Sequence, residues 1–196
     1  MKPKSVLGFV VGRKIGDGTF SDVYHGRHRD GRVAAIKVYS PHERIKWFDR
    51  EVFILDKAAG PGVVGKTGSD RETRSIVLDF VPGKDLYDYG PFYPLEKWFP
   101  KLCLIVKSLH DKGMSHNDIH SGNVILNART MTPTLIDFSH AKLRSSPEEK
   151  ELDIDCLGTL ASYYRDDGAV WTKVIERCTF DPKYTIDGVI NDLRSL

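Results

Sequence analysis

Three residues in the second half of the chain have the types and spacing that phosphoryl transfer needs. Asp118 lies in His116-Asn117-Asp118-Ile119-His120-Ser121-Gly122-Asn123, and Asn123 follows it by five positions. A second carboxylate opens Asp137-Phe138-Ser139, fourteen residues after Asn123. One carboxylate can take the proton of an attacking hydroxyl. An amide oxygen and another carboxylate offer the hard oxygen donors that Mg²⁺ takes on a nucleotide. Taken singly, these are a loop aspartate and a turn-capping asparagine. Acting together, they need a scaffold that holds a loop beside a short strand pair.

The elements of such a scaffold can be read along the chain. Residues 9–15 and 22–28 alternate and are rich in valine, as strands are. Asp30-Gly31 is a tight-turn signal leading into a third strand, Val33-Ala34-Ala35-Ile36-Lys37-Val38-Tyr39. Ser40-Pro41-His42-Glu43 predicts a capping box with proline in the first helical turn. Ile45, Phe48, Val52 and Leu55 recur at helical spacing behind it, and Gly60-Pro61-Gly62 stops the helix. Two more strands are expected near 63–67 and 75–81, which makes a five-stranded antiparallel sheet with one helix. Pro82-Gly83 then leads into a mainly helical half. Leu95, Trp98, Leu102, Ile105, Val106 and Leu109 form a helical stripe in which Pro100 marks a kink or the true start. A strand pair is expected at 124–126 and 134–136, and helices near 149–164, 169–178 and 186–193. The fold class is α+β.

Further chemistry lies in the first half. Gly16-Asp17-Gly18-Thr19-Phe20-Ser21 joins two strands, and its glycines let the backbone approach phosphate oxygens closely. Lys37 interrupts an apolar strand, so its ammonium needs a partner. Glu51, fourteen residues later and one turn from both Phe48 and Leu55, borders the buried helix face and is the natural partner. In the second half, an aspartate inside an apolar helix, at Asp155-Cys156-Leu157-Gly158, needs donors of its own.

From about Gly8 to its end the chain resembles the eukaryotic-type protein kinases. The glycine hairpin (with Ser21 at the third glycine), Ala35-Ile36-Lys37, Asp118 with Asn123, Asp137-Phe138 and the Asp155 helix occur in that family's order. Asp181-Pro182-Lys183-Tyr184-Thr185 is similar to the stretch before the last helix of those enzymes. The resemblance implies one minimal two-lobed domain over 1–196, with a first lobe at about 8–81, a hinge at about 79–85 and a second lobe at about 86–196. It implies ATP and Mg²⁺ as cofactors. Gly16, Gly18, Ser21, Val23, Ala35, Lys37, Asp79, Val81, Asp85 and Ile125 would then contact the nucleotide. Asp79 and Val81 would do so through peptide atoms, Asp85 through a ribose hydroxyl, with Leu78 at the back of the pocket. Lys37 would bind phosphates and pair with Glu51, Asp118 would be the catalytic base, and Asn123 and Asp137 would hold the metal. Asp155 would accept hydrogen bonds from the catalytic-loop backbone. His116, Phe138, Leu55 and a residue near Val63 or Val64 would stack as a spine.

The departures from the family carry information too. Asp137 and Asp155 are eighteen residues apart, roughly half the usual separation, and no Ala-Pro-Glu triplet intervenes. Asn117 replaces the arginine that reads an activation-loop phosphate, so both halves of that switch are missing. An enzyme active as folded, or activated by a partner, is expected. Ser139 replaces a glycine, which should hinder flipping of Asp137-Phe138. Trimming of this kind resembles the minimal kinases that some bacterial pathogens deliver into host cells. That likeness implies a host protein as substrate, such as a chaperone or a ubiquitin-pathway protein. His120 stands where protein Ser/Thr kinases usually carry a lysine that steadies the transferring phosphate. Together with His116-Asn117-Asp118 it is similar to choline kinases and antibiotic phosphotransferases, which makes a small-molecule kinase the alternative. A non-catalytic module would have lost Lys37, Asp118, Asn123 or Asp137, and all four are present.

Composition narrows the partners. A net charge of +2 over 196 residues gives no reason to expect nucleic acid or anionic membrane as the main partner. No apolar run approaches a membrane span. Cys103, Cys156 and Cys178 match neither a disulfide framework nor a zinc pattern, so reduced thiols in a soluble, reducing compartment are expected.

Overall fold

Valine alternation builds the first sheet of this computed structural model, which describes residues 2–90, 94–164 and 169–194. The chain divides into two units, Met1–Ala59 with Val64–Val81, and Gly60–Val63 with Pro82–Leu196. In the first unit, β1 (Ser5–Val6), β2 (Phe9–Asp17), β3 (Ser21–His28), β4 (Val33–Tyr39), β5 (Lys66–Asp70) and β6 (Ser75–Asp79) form one sheet in the order β1-β2-β3-β4-β6-β5. Every pairing in it is antiparallel. The sheet therefore has six strands rather than the expected five. The extra strand is two residues long, too short for any periodicity to reveal it. It pairs Ser5 with Val10 and Val6 with Phe9, and Val6 joins Phe9, Val11, Ala34, Ile36, Val38 and Val77 in one apolar cluster.

Two local expectations for this unit are corrected. The strand expected near 63–67 lies at Lys66–Asp70, because its sequence Lys-Thr-Gly-Ser-Asp is polar and carries no apolar alternation. The Ser40-Pro41-His42-Glu43 box does not start the helix. Instead α1 (Ile45–Ala58) begins after Arg44 and has no side-chain cap. Ser40 Oγ accepts from the His42 N–H, and the Glu43 N–H donates to the Ser40 carbonyl at 3.1 Å, which closes a turn. The Arg74 guanidinium then takes the Pro41 and Glu43 carbonyls at 3.0 and 2.7 Å. Arg74 thus competes with the N–H groups of a first helical turn for these carbonyls.

The second unit is mainly helical, with α2 (Leu95–Asp111), α3 (Pro147–Tyr164), α4 (Ala169–Phe180) and α5 (Ile186–Arg194). Pro100 lies inside α2 and does not mark its start, and Trp98, Phe99, Leu102, Val106 and Leu109 are fully buried around it. The strands β7 (Lys84–Asp85), β9 (Val124–Asn127) and β10 (Thr132–Leu135) form a small sheet in the order β10-β9-β7, while β8 (Met114–Ser115) pairs with β11 (Lys142–Leu143). Gly62 has φ +79°, and a Cβ there would collide with the Ile105 side chain, so only glycine lets the Gly62 carbonyl receive the Leu135 N–H at 2.7 Å. Gly158 allows α3 to lie against α4, since a Cβ on it would come within 2.6 Å of Cys178 Cβ. Among the described residues, no helix is long and apolar enough to cross a membrane.

Candidate active site

The sheet register assembles the first group of candidate residues. Gly16 on β2 pairs with Val23 on β3, and Val23 pairs with Lys37 on β4, so hairpin, valine and lysine lie in one row across the sheet. Ala35, two residues before Lys37, shares its face and pairs with Leu78. The hairpin turn is tight: the Gly18 N–H donates to the Ser21 carbonyl at 2.8 Å, and Ser21 is buried. Lys37 Nζ lies 2.8 Å from Glu51 Oε1, and the two side chains are only 3% and 1% exposed. The Tyr39 hydroxyl donates to the other carboxylate oxygen, and Lys37 Nζ sits 5.6 Å from the Tyr39 ring centre. A buried ion pair survives only when its remaining lone pairs are satisfied, and Tyr39 supplies that third group. Its place at the end of a valine-rich strand gave no sign of this.

At the sheet's other side, the Asp79 N–H is committed to the Gly65 carbonyl at 2.8 Å, and Asp79 Oδ1 accepts from the Thr67 hydroxyl at 3.2 Å. Val81 follows β6, half-buried. These residues belong to the first unit, and the remaining candidates belong to the second.

In the second unit, Asn123 Nδ2 donates both to the Asp118 carbonyl at 2.9 Å and to Asp118 Oδ2 at 3.0 Å. This fixes the Asp118 carboxylate and leaves Oδ1 with no hydrogen-bond partner among the described residues. It also turns the amide oxygen of Asn123 away from Asp118. His120 is half exposed. Its Nδ1 accepts from the Gly122 N–H at 3.1 Å, and its Nε2 lies 3.8 Å from Asp118 Oδ2. Asp137 has φ +57°, and its Oδ1 accepts from the Ser139 N–H at 3.1 Å. Asp85 pairs with Ile125 across β7 and β9, which brings those two candidates side by side. The Asp85 carboxylate also caps the short 3-10 helix Leu86–Tyr89 by accepting the Asp88 N–H at 3.0 Å.

The loop that carries Asp118 is held by Asp153, not by Asp155. Asp153 is wholly buried, and its two oxygens accept the Asn117 N–H at 2.7 Å and the His116 N–H at 2.9 Å, while His110 Nε2 lies 3.0 Å from Oδ2. Asp155 is only half-buried. The reason is helical phase: Asp153, Ile154, Leu157, Gly158 and Ala161 share the inner face of α3, and a residue two positions on from Asp153 is rotated well away from it. Gly158 lies five positions after Asp153, and that phase was the available signal. The role of His110 left no trace in its apolar stripe. Asn117 has φ +61°, a left-handed conformation that asparagine tolerates better than most side chains.

His116 and Phe138 form an edge-on ring pair with centroids 4.8 Å apart. His116 Nε2 lies 3.0 Å from the Ile136 carbonyl, and burial holds its pKa below the usual histidine value. The segment after Asp137 is short and tied down along its length. Ala141 N–H donates to the Phe138 carbonyl at 3.2 Å, Lys142 and Leu143 pair with β8, and Ser145 N–H donates to the Gly113 carbonyl at 2.9 Å. At Ser146-Pro147-Glu148-Glu149 a true capping box opens α3: the Glu149 N–H donates to Ser146 Oγ and the Ser146 N–H to Glu149 Oε2.

The donor set suits Mg²⁺. An amide oxygen and a carboxylate are hard ligands. Among the described residues no cluster of three or more His, Cys, Asp or Glu could hold a metal ion. The thiols are poor nucleophiles, because burial pushes Cys156 up to about 11 and Cys178 up to about 12. All three cysteines are free.

Comparison with known proteins agrees with this geometry. A family model described as protein kinase domain matches residues 9–163. The mouse serine/threonine-protein kinase Nek1 is 32% identical over 167 residues, covering 77% of this chain and 14% of its own length. The Myxococcus xanthus serine/threonine-protein kinase pkn2 is 33% identical over 151 residues, covering 69% of this chain and 18% of its own length. The Arabidopsis thaliana cysteine-rich receptor-like protein kinase 10 is 30% identical over 168 residues, covering 77% of this chain and 25% of its own. The chain thus spans a quarter or less of the length of these relatives.

Proposed function

This chain belongs to the protein kinase domain family, and on that premise we propose that it transfers the γ-phosphoryl group of ATP to a serine or threonine hydroxyl of a protein. The observation that carries this reading is the Asp118–Asn123 lock on a loop anchored by Asp153. Asp118 Oδ1 is the acceptor for the proton of the incoming hydroxyl, and Asn123 holds the carboxylate in the orientation that receives it. Lys37, oriented by Glu51 and Tyr39, binds the phosphates, and the glycine hairpin supplies backbone N–H groups to them. Asn123 and Asp137 would hold Mg²⁺, which when bound neutralises charge on the phosphates. His120 offers an imidazole donor to the transferring group. Its Nδ1 accepts the Gly122 N–H, so in the neutral ring the proton sits on Nε2, beside Asp118.

The tied-down segment 138–146 supports an enzyme active as folded, or set by a partner, rather than by phosphorylation of a loop. The same trimming supports a delivered effector with a host protein as substrate, such as a chaperone or a ubiquitin-pathway protein, and the free thiols suit a reducing compartment. His120 in place of a lysine favours the second reading, a small-molecule kinase. Incubation with γ-labelled ATP, Mg²⁺ and a whole-cell lysate separates the two. Label on a protein band is the expected result, and label confined to small molecules overturns it in favour of the second reading.

A further inference from the structure

A glycine-rich hairpin loses more backbone entropy than most segments when a ligand orders it, so a contact that holds it beforehand aids binding. Here the partners in that contact come from outside the hairpin. The Phe20 carbonyl accepts the Ser40 N–H at 2.9 Å, and the Phe20 ring lies nearly parallel to Trp47, at an interplanar angle of 12° with centroids 6.4 Å apart. Trp47 is the third residue of α1 and stands one turn before Glu51. The Lys46 ammonium and the Arg50 guanidinium lie 5.1 and 5.9 Å from its ring centre. The turn between Ser40 and Glu43 is clamped by Arg74. One ring contact thus joins the hairpin tip to the stretch of helix that aims Glu51 at Lys37.

We propose that the Phe20–Trp47 stack is a positioning device for the nucleotide: Trp47 holds the glycine hairpin ready for phosphate and couples it to the turn of α1 that bears Glu51. This rests on the hairpin being the phosphate-binding element. An aromatic pair of this kind is worth about two- to tenfold in an equilibrium. Trp47→Leu and Phe20→Leu should therefore each weaken MgATP binding by about that factor, measured by titration calorimetry, while thermal midpoints confirm folding. The double variant should bind no more weakly than the weaker single, and Trp47→Phe should restore affinity. In steady state the loss should fall on KM for ATP, with kcat little changed. MgATP should alter the tryptophan fluorescence of the wild type, and that change should vanish in Trp47→Phe, which keeps Trp98 and Trp171. Wild-type affinity in both Leu variants, or losses that multiply in the double, would overturn the proposal. Should Trp47→Leu not fold, Phe20→Leu and Trp47→Phe carry the same test. A wild type that binds MgATP but phosphorylates no protein contradicts the proposed function and leaves the stack standing. A wild type that binds no MgATP overturns both.

Discussion

The Lys37–Glu51 pair and the Asp118–Asn123 pair each hold a charge in place, but by opposite means. The first is sealed: both side chains are almost wholly buried, and Tyr39 completes the set. The second is open. The Asp118 side chain is 37% exposed, and its loop is fixed from beneath through backbone N–H groups held by Asp153. A sealed pair is part of the packing, so removing one partner leaves a charge stranded. An open carboxylate on an anchored loop can be changed without disturbing its support. Stability and activity should therefore part company between the two regions.

The largest effect on folding should come from the sealed pair. Lys37→Met should destabilise the protein by about 3–5 kcal/mol in chemical denaturation, and Lys37→Met with Glu51→Leu should recover part of that loss. Asp118→Asn should shift the thermal midpoint by no more than about 2 °C, since a surface substitution costs roughly 0.5 kcal/mol or less. The anchor beneath the open pair should matter next. Asp153→Ala should cost about 3 kcal/mol by leaving the buried His116 N–H and the part-buried Asn117 N–H without their acceptor, whereas Asp155→Ala should cost roughly 0.5 kcal/mol. Equal losses at the two positions would contradict the anchoring role. The smallest effect concerns His116. Its folded pKa is depressed by burial, so the unfolded chain binds the proton more readily. Its contribution is fully present above the ordinary histidine value of 6.5 and is lost as pH falls below that value toward the folded pKa. The denaturation midpoint should fall between pH 7 and 5, and the fall should be smaller in His116→Phe.

Much of this contrast was legible in the chain. Lys37 and Glu51 could be paired because an ammonium in an apolar strand needs a partner and the helix period placed Glu51 at the buried edge. Asp118 and Asn123 could be singled out by type and spacing, but the hydrogen bonds that join them came only with the structure. Phase and competition were harder to see. Asp153 and Asp155 both sit in an apolar stretch, and only the helical angle distinguishes the buried one. Ser40-Pro41-His42-Glu43 and Ser146-Pro147-Glu148-Glu149 share a pattern, yet only the second caps a helix. Arg74, more than thirty residues away, claims the carbonyls at the first. Local pattern names what a segment can do, and distant residues decide whether it does so.

The most direct measurement compares wild type with folded Asp118→Asn for phosphate formed on serine or threonine of lysate proteins, supplied with ATP and Mg²⁺. The account predicts phosphorylated protein with the wild type and a loss of about 10³-fold with Asp118→Asn. Equal phosphorylation by the two proteins would contradict it.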